Sequence, residues 1–221
     1  REAVAFNVLS HSIQEHASEP VMITPIRLSQ LGHVFKRERH ALQSTDFSFS
    51  RFLTPYLCDY EGWAIFMDCD MLFRGDIAEL WALRDDQFAV QAIKHHHVPK
   101  ETSKFLNATQ TKYACKNWSS LMLFNNAKCK ALTPEFVNTA SGLELHQFKW
   151  LSSLDEVGGL PRTWNHLVGY NDFDPNAKNV HYTIGGPYFE EYRDCEYAQD
   201  WFDARDRMLQ VIENDQCRIA V

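Results

Sequence analysis

An α/β fold is what the sequence predicts, and three observations carry it. The chain opens with a helical pattern over 2–17 followed by an apolar run at 21–26, an alternation that suggests helices layered on strands. The segment WAIFMDCD (63–70) stays apolar until acidic residues appear at its carboxyl end, the pattern of a strand buried on both faces. The stretch 196–214 is an amphipathic helix carrying Trp201, Phe202, Met208, Leu209 and Ile212.

The elements between these follow from local chemistry. In the first helix, Ala5, Leu9 and Ile13 form one stripe with Val4 and Val8 beside it, and Pro20 stops it before the strand VMITPI. Residues 35–46 are polar and read as a connection, and 48–58 as a helix bearing Arg51. Asp76 caps a short helix, DIAELWAL, and Phe88–Ile93 is a further strand. The His-rich region 94–114 reads as a long loop, of a length that is often functional. A strand at 120–126 and helices near 133–139 and 142–151 follow. Gly158, Gly159 and Pro161 then break the chain, and a last strand, NVHYTI (179–184), leads into Gly185-Gly186-Pro187.

Composition bounds the function. With 221 residues and 45% apolar content the chain is long enough for one domain with a sizeable core. Its net charge of -7 argues against a nucleic-acid binder, since no basic excess exists to displace counterions. No apolar run has the length of a membrane span and no signal peptide opens the chain, so a cytoplasmic protein is expected. The six cysteines are irregularly spaced with no C-x-x-C pair, which favours free, mostly buried thiols over a zinc site. The sequons at Asn107 and Asn117 read as chance.

The chemistry-bearing motif is Asp68-Cys69-Asp70. Residues two apart on a strand point to the same side, so both carboxylates can face one ligand while Cys69 points inward. Paired hard oxygens suit Mg²⁺ or Mn²⁺, ions that also hold substrate phosphates. The 15 aspartates of the chain predict about one Asp-x-Asp by chance, and two occur. The second, Asp172-Phe173-Asp174, lies among Asn and Pro and reads as turn chemistry. The first gains from its context: two carboxylates at the end of an apolar strand repel without a cation.

The run AIFMDCDMLFRGDIAELW (64–81) resembles the Asp-x-Asp segment of GT-A glycosyltransferases, and of the retaining family-8-like group in particular. SRFLTPYL (50–57) is similar to the family's arginine-bearing helix and SSLMLFNN (119–126) to its Asn-Ser-Gly strand. GGLPRTWN (158–165) is similar to its Leu-Pro…Trp-Asn segment and VHYTIGGP (180–187) to its late His-x-x-Gly motif. The resemblance covers nearly the whole chain, as one domain over 1–221, and implies the GT-A form of the α/β class, a mixed sheet flanked by helices. It implies a nucleotide-sugar donor (UDP- or GDP-linked), a carbohydrate or glycoconjugate acceptor, and Mn²⁺ or Mg²⁺ held by Asp68, Asp70 and His181. Asp68 would also lie towards the ribose, Arg51 would approach the donor sugar or phosphate, and Gly185 and Gly186 would line the diphosphate. Gln147 would sit beside the anomeric centre, although His146 and Phe148 stand where the family has acidic flanks. The family's first strand, which grips the base, would precede the helix at 2–17, so the resemblance implies a domain that starts upstream of Arg1.

Departures are specific. The family's late motif carries a lysine for the diphosphate, where this chain has Gly185-Gly186-Pro187-Tyr188; Trp118 and Ser120 replace the usual Asn and Gly. A non-catalytic nucleotide- or sugar-binding module is therefore a competing expectation. A phosphatase of haloacid-dehalogenase type fits less well, because Leu72 stands where that class has Thr or Val. Other features read more simply. His95-His96-His97 is a solvated loop, Asp85-Asp86 and Glu190-Glu191 are caps or surface, Trp164 is core, and Asn165 is a candidate sugar contact.

Overall fold

The computed structural model describes residues 2–38, 47–95, 103–104, 108–109 and 115–218. Its helices are α1 (Glu2–His16), α2 (Thr54–Leu57), α3 (Ile77–Trp81), α4 (Pro134–Thr139), α5 (Gly142–His146) and α6 (Ala198–Arg218). Its strands are β1 (Trp63–Met67), β2 (Met71–Phe73), β3 (Val90–Ala92), β4 (Ser103–Lys104), β5 (Ala108–Thr109), β6 (Leu121–Asn125), β7 (Val157–Gly159), β8 (His166–Leu167) and β9 (Asn179–His181). The architecture is the α/β class with mixed sheets that the sequence predicts. The chain divides into two compact units, one of Arg1–Ile23, Cys69–Leu80 and Thr163–Val221, the other of Thr24–Asp68 and Trp81–Arg162.

The first unit is built on a three-stranded sheet, β2-β9-β8. β2 runs antiparallel to β9 with Met71 opposite His181, and β8 runs parallel to β9 with Leu167 opposite His181. Helix α1 buries Ala5, Val8, Leu9, Ser12 and Ile13, the spacing expected of one helical face, while Val4 is turned to solvent. Ser12 fixes the helix on the sheet, its Oγ accepting the Phe73 amide at 3.1 Å. Asp76 caps α3 as expected, accepting the Ala78 amide at 2.9 Å. Helix α6 contributes Trp201 and Ala204 to the core around Val180 and Tyr182.

The second unit holds a four-stranded sheet in the order β1-β6-β3-β7, antiparallel except for β3 against β7. The central β6 and β3 are buried throughout. β1 lies at the end of that order and is half-buried along its whole length, which corrects the expectation of a strand buried on both faces. Phe52, Leu53, Phe124, Leu132, Val137, Leu145 and Phe148 fill the core. Thr133 caps α4, and Ser141 with Glu144 forms a reciprocal capping box on α5.

Further expectations need correction. The apolar run 21–26 forms no strand, and Met22 is 96% exposed; Pro20 and Pro25 deny it ladder amides. The helix expected over 142–151 ends at His146, because Phe148 adopts a left-handed backbone with φ 56°. Gly158 and Gly159 do not break the chain; they are the last two residues of β7. A Cβ on Gly158 would stand 2.5 Å from Phe88 Cδ2 and 2.7 Å from Gln91 Cγ, so the strand lies too close to its neighbours for any side chain there. Most of the His-rich loop, including His96 and His97, lies outside the described residues, as does the Asn107 sequon. Cys58, Cys115, Cys129 and Cys195 are free thiols, but only Cys129 among them is buried, which corrects the expectation of mostly buried thiols; burial pushes the pKa of Cys129 up to about 12 and that of Cys195 to about 11.

His146 closes α5 with its ring against Phe49 and Phe52, at 5.8 and 5.2 Å between centroids. Burial first, and then the charges of Arg51, Lys116 and Arg37, hold its pKa well below 6.5. The unfolded chain therefore takes up a proton near pH 6.5 that the folded chain refuses, and stability falls as pH drops through that value. His146→Gln is expected to flatten the dependence of unfolding free energy on pH between 7 and 5. Denaturant titrations should show a slope lower by up to about 1.4 kcal/mol per pH unit. A second expectation concerns β7. Gly158→Ala should cost about 1–3 kcal/mol by overpacking, whereas Gly159→Ala, with no heavy atom within 4 Å of its added Cβ, should cost less than about 0.5 kcal/mol.

Candidate metal centre

Asp68, Cys69 and Asp70 form a bend between β1 and β2 rather than the end of a strand. Their positions come from the backbone bonds on either side. The Asp68 amide donates to Ser120 O at 2.9 Å, and Asp70 O accepts the Tyr182 amide at 2.9 Å. The strand expected to present these two carboxylates is corrected to a bend.

Asp68 is held by Arg51. The guanidinium grips the carboxylate with Nη2 at 2.8 Å from Oδ1 and Nη1 at 3.1 Å from Oδ2. It also donates from Nη1 to Ser119 O at 2.7 Å and from Nε to Ser48 O at 3.0 Å. Arg51 is only 6% exposed, so this dense set of acceptors offsets the cost of taking its charge out of water. Phe66 lies under the guanidinium, 5.1 Å from its carbon to the ring centroid. The Ser119 side chain bonds His146 Nδ1 at 2.7 Å, which fixes the carbonyl that Arg51 reads. In the sequence Arg51 was a residue for donor sugar or phosphate; here its bonds fasten Asp68.

Asp70 faces His181 on β9. Its Oδ1 lies 3.4 Å from Nε2, and Nδ1 of the same ring lies 3.0 Å from Asn165 Oδ1. His181 is 2% exposed and Asn165 is fully buried, whereas the Asp70 side chain keeps 23% of its surface open. With Asp68, two residues back along the bend, they offer three ligand atoms within 4.8 Å of one another. Two carboxylate oxygens and one imidazole nitrogen are a donor set that Mn²⁺ accepts and Mg²⁺ tolerates. The residues fit the ion that the sequence implies.

The remaining expected site residues lie as follows. Gln147 is the half-buried residue that ends α5, its amide bonded to Leu143 O at 3.0 Å. Gly185 and Gly186 have a packing reason to be glycine: a Cβ on either would come within 2.4 Å of the ring of Tyr192 or Tyr188. Trp164 is 2% exposed against Phe73, a core residue as expected, and Asp174 accepts the Asn176 amide in a turn. Asn165, expected to touch sugar, bonds His181 through Oδ1. Sequence reasoning missed this contact and the Ser119–His146 pair, since each joins residues far apart in the chain with no local pattern.

No protein-family model matches the chain. Solved structures of similar fold include the WbbM bifunctional glycosyltransferase in its apo form, with a TM-score of 0.62 at 15% identity over 92% of this chain and 47% of that one. The apo-form glycosyltransferase GlyE of Streptococcus pneumoniae TIGR4 gives 0.57 at 14% identity, covering 97% of this chain and 61% of GlyE. The galactosyltransferase LgtC, in complex with donor and acceptor sugar analogues, gives 0.52 at 15% identity, covering 93% and 92%. The chain spans about half the length of WbbM and three-fifths of GlyE. At these identities the likeness is one of fold, and that fold is GT-A. Protein CDI of Arabidopsis thaliana is 50% identical over 212 residues, covering 92% of this chain and 82% of the relative. The chain belongs to the family of Protein CDI.

Proposed function

We propose that the chain, read over 1–221 as one domain, is a metal-dependent glycosyltransferase of the retaining family-8-like group. It would move a sugar from a nucleoside-diphosphate donor to a carbohydrate or glycoconjugate acceptor, in the cytoplasm. The observation that carries this reading is the Asp70–His181 pair, 3.4 Å apart, with Asp68 two residues before Asp70, in a chain with the GT-A fold. No helix among the described residues is long and apolar enough to cross a membrane.

Asp68, Asp70 and His181 would hold Mn²⁺ or Mg²⁺. Bound there, the ion would neutralise the charge that develops on a leaving diphosphate. Arg51 keeps both Asp68 oxygens in a fixed plane and brings a buried positive charge next to the carboxylate nearest the ribose. The open part of Asp70 leaves a side from which phosphate oxygens can approach. Gly185 and Gly186, packed against the rings of Tyr192 and Tyr188, are assigned to the diphosphate on the family resemblance. Gln147 is assigned to the anomeric centre, where its carbonyl dipole would stabilise oxocarbenium character. The lysine that the family places on the diphosphate is absent from Gly185-Gly186-Pro187-Tyr188.

A titration tests the reading. With Mn²⁺ present, UDP or GDP at about 100 times its dissociation constant should raise the unfolding free energy by about 2.7 kcal/mol, and chelation should abolish the rise. Asp70→Ala should remove the metal-dependent part entirely while leaving the fold intact by circular dichroism; unchanged stabilisation would overturn the assignment. Donor hydrolysis or transfer under the same conditions marks an enzyme. Saturable binding with no turnover, across candidate acceptors, would favour the non-catalytic module instead.

A further inference from the structure

Resting on the metal reading above, we infer that Asn165 is a positioning residue for the centre: it sets which nitrogen of His181 carries the proton and aims the other at Asp70. A neutral imidazole has one N–H donor and one lone pair, and the partner of the first decides the direction of the second. Asn165 Oδ1 stands 3.0 Å from Nδ1, the ordinary length of an N–H···O bond, so Nδ1 donates. At 3.4 Å, Nε2 is beyond the usual hydrogen-bond range from Asp70 Oδ1, a spacing that suits a lone pair facing a carboxylate across a shared cation.

Asn165 is itself held in place by three successive attachments to the strand that carries His181. The Lys178 amide donates to Thr163 O at 2.8 Å, Asn179 Nδ2 donates to Trp164 O at 2.9 Å, and His181 Nδ1 donates to Asn165 Oδ1. Parallel pairing of β8 with β9 continues the seam immediately afterwards, with His166 opposite Val180. Trp164, tilted on Phe73 at 6.0 Å between ring centroids, wedges the segment from the other side. These bonds tie down the segment that carries Asn165, which is what a group that orients a ligand requires.

The test reads the imidazole before any metal is added. In metal-free protein labelled with ¹⁵N-histidine at pH 8, long-range ¹H–¹⁵N spectra should show His181 as the neutral form protonated at Nδ1, the signal being assigned by its loss in His181→Gln. An Nε2-protonated ring overturns the inference, whatever the protein does with metal. Asn165→Asp keeps an oxygen acceptor and should keep both the tautomer and the affinity for Mn²⁺, measured from the paramagnetic resonance of the free ion. Asn165→Leu, similar in size but without an acceptor, should lose the fixed tautomer and weaken Mn²⁺ by about 10–100-fold. Equal affinity in Asn165→Leu and wild type overturns the inference. If wild type takes up no Mn²⁺ at all, the metal reading fails while the tautomer measurement still decides the role of Asn165.

Discussion

Two carboxylates two residues apart, presented on one bend, are the constraint that organises the described structure. Left in a weakly hydrated setting they would repel or take up protons, and the fold answers each differently. Asp68 receives a guanidinium in a two-pronged grip, and that guanidinium is in turn locked by the carbonyls of Ser48 and Ser119. Asp70 receives the edge of a buried imidazole whose other nitrogen is tied to Asn165. Irregular segments take part in this: the turn before Arg51 offers the Ser48 carbonyl to its guanidinium, and the short helix before Asn165 is tied to Asn179 through the Trp164 carbonyl.

The two arrangements lead to different chemistry. The guanidinium grips both oxygens of Asp68 and so fixes its orientation. An imidazole offers a lone pair or a proton according to its partner, so Asp70 faces a group that can share a cation with it. On the proposed function, a fixed grip beside an adaptable ring suits a centre that binds a metal diphosphate and releases it.

What could be read from the sequence followed the length of each element. The helical face of Ala5, Leu9 and Ile13, the capping by Asp76 and the strand at Leu121–Asn125 are patterns that complete themselves within a few residues. The Asp-x-Asp pair and His181 were legible as residue types in an order. β2, β8 and β9 span two or three residues, too few to show a period of two, and the contacts they create were hidden with them. Asn165 against His181 depends on a parallel register between two such strands. Gly158 looked like a chain break because a glycine that lets Phe88 and Gln91 pack closely is spelled the same way as one that turns. The proline-interrupted run at 21–26 shows the reverse error, where apolar composition outweighed the missing amides.

Crystals grown with Mn²⁺ and UDP, measured at the manganese absorption edge, test the central claim most directly. The account predicts a single strong anomalous peak within bonding distance of Asp70 and His181 Nε2, with diphosphate oxygens completing the coordination. Nucleotide bound with no anomalous peak there, or manganese found elsewhere on the chain, would contradict it.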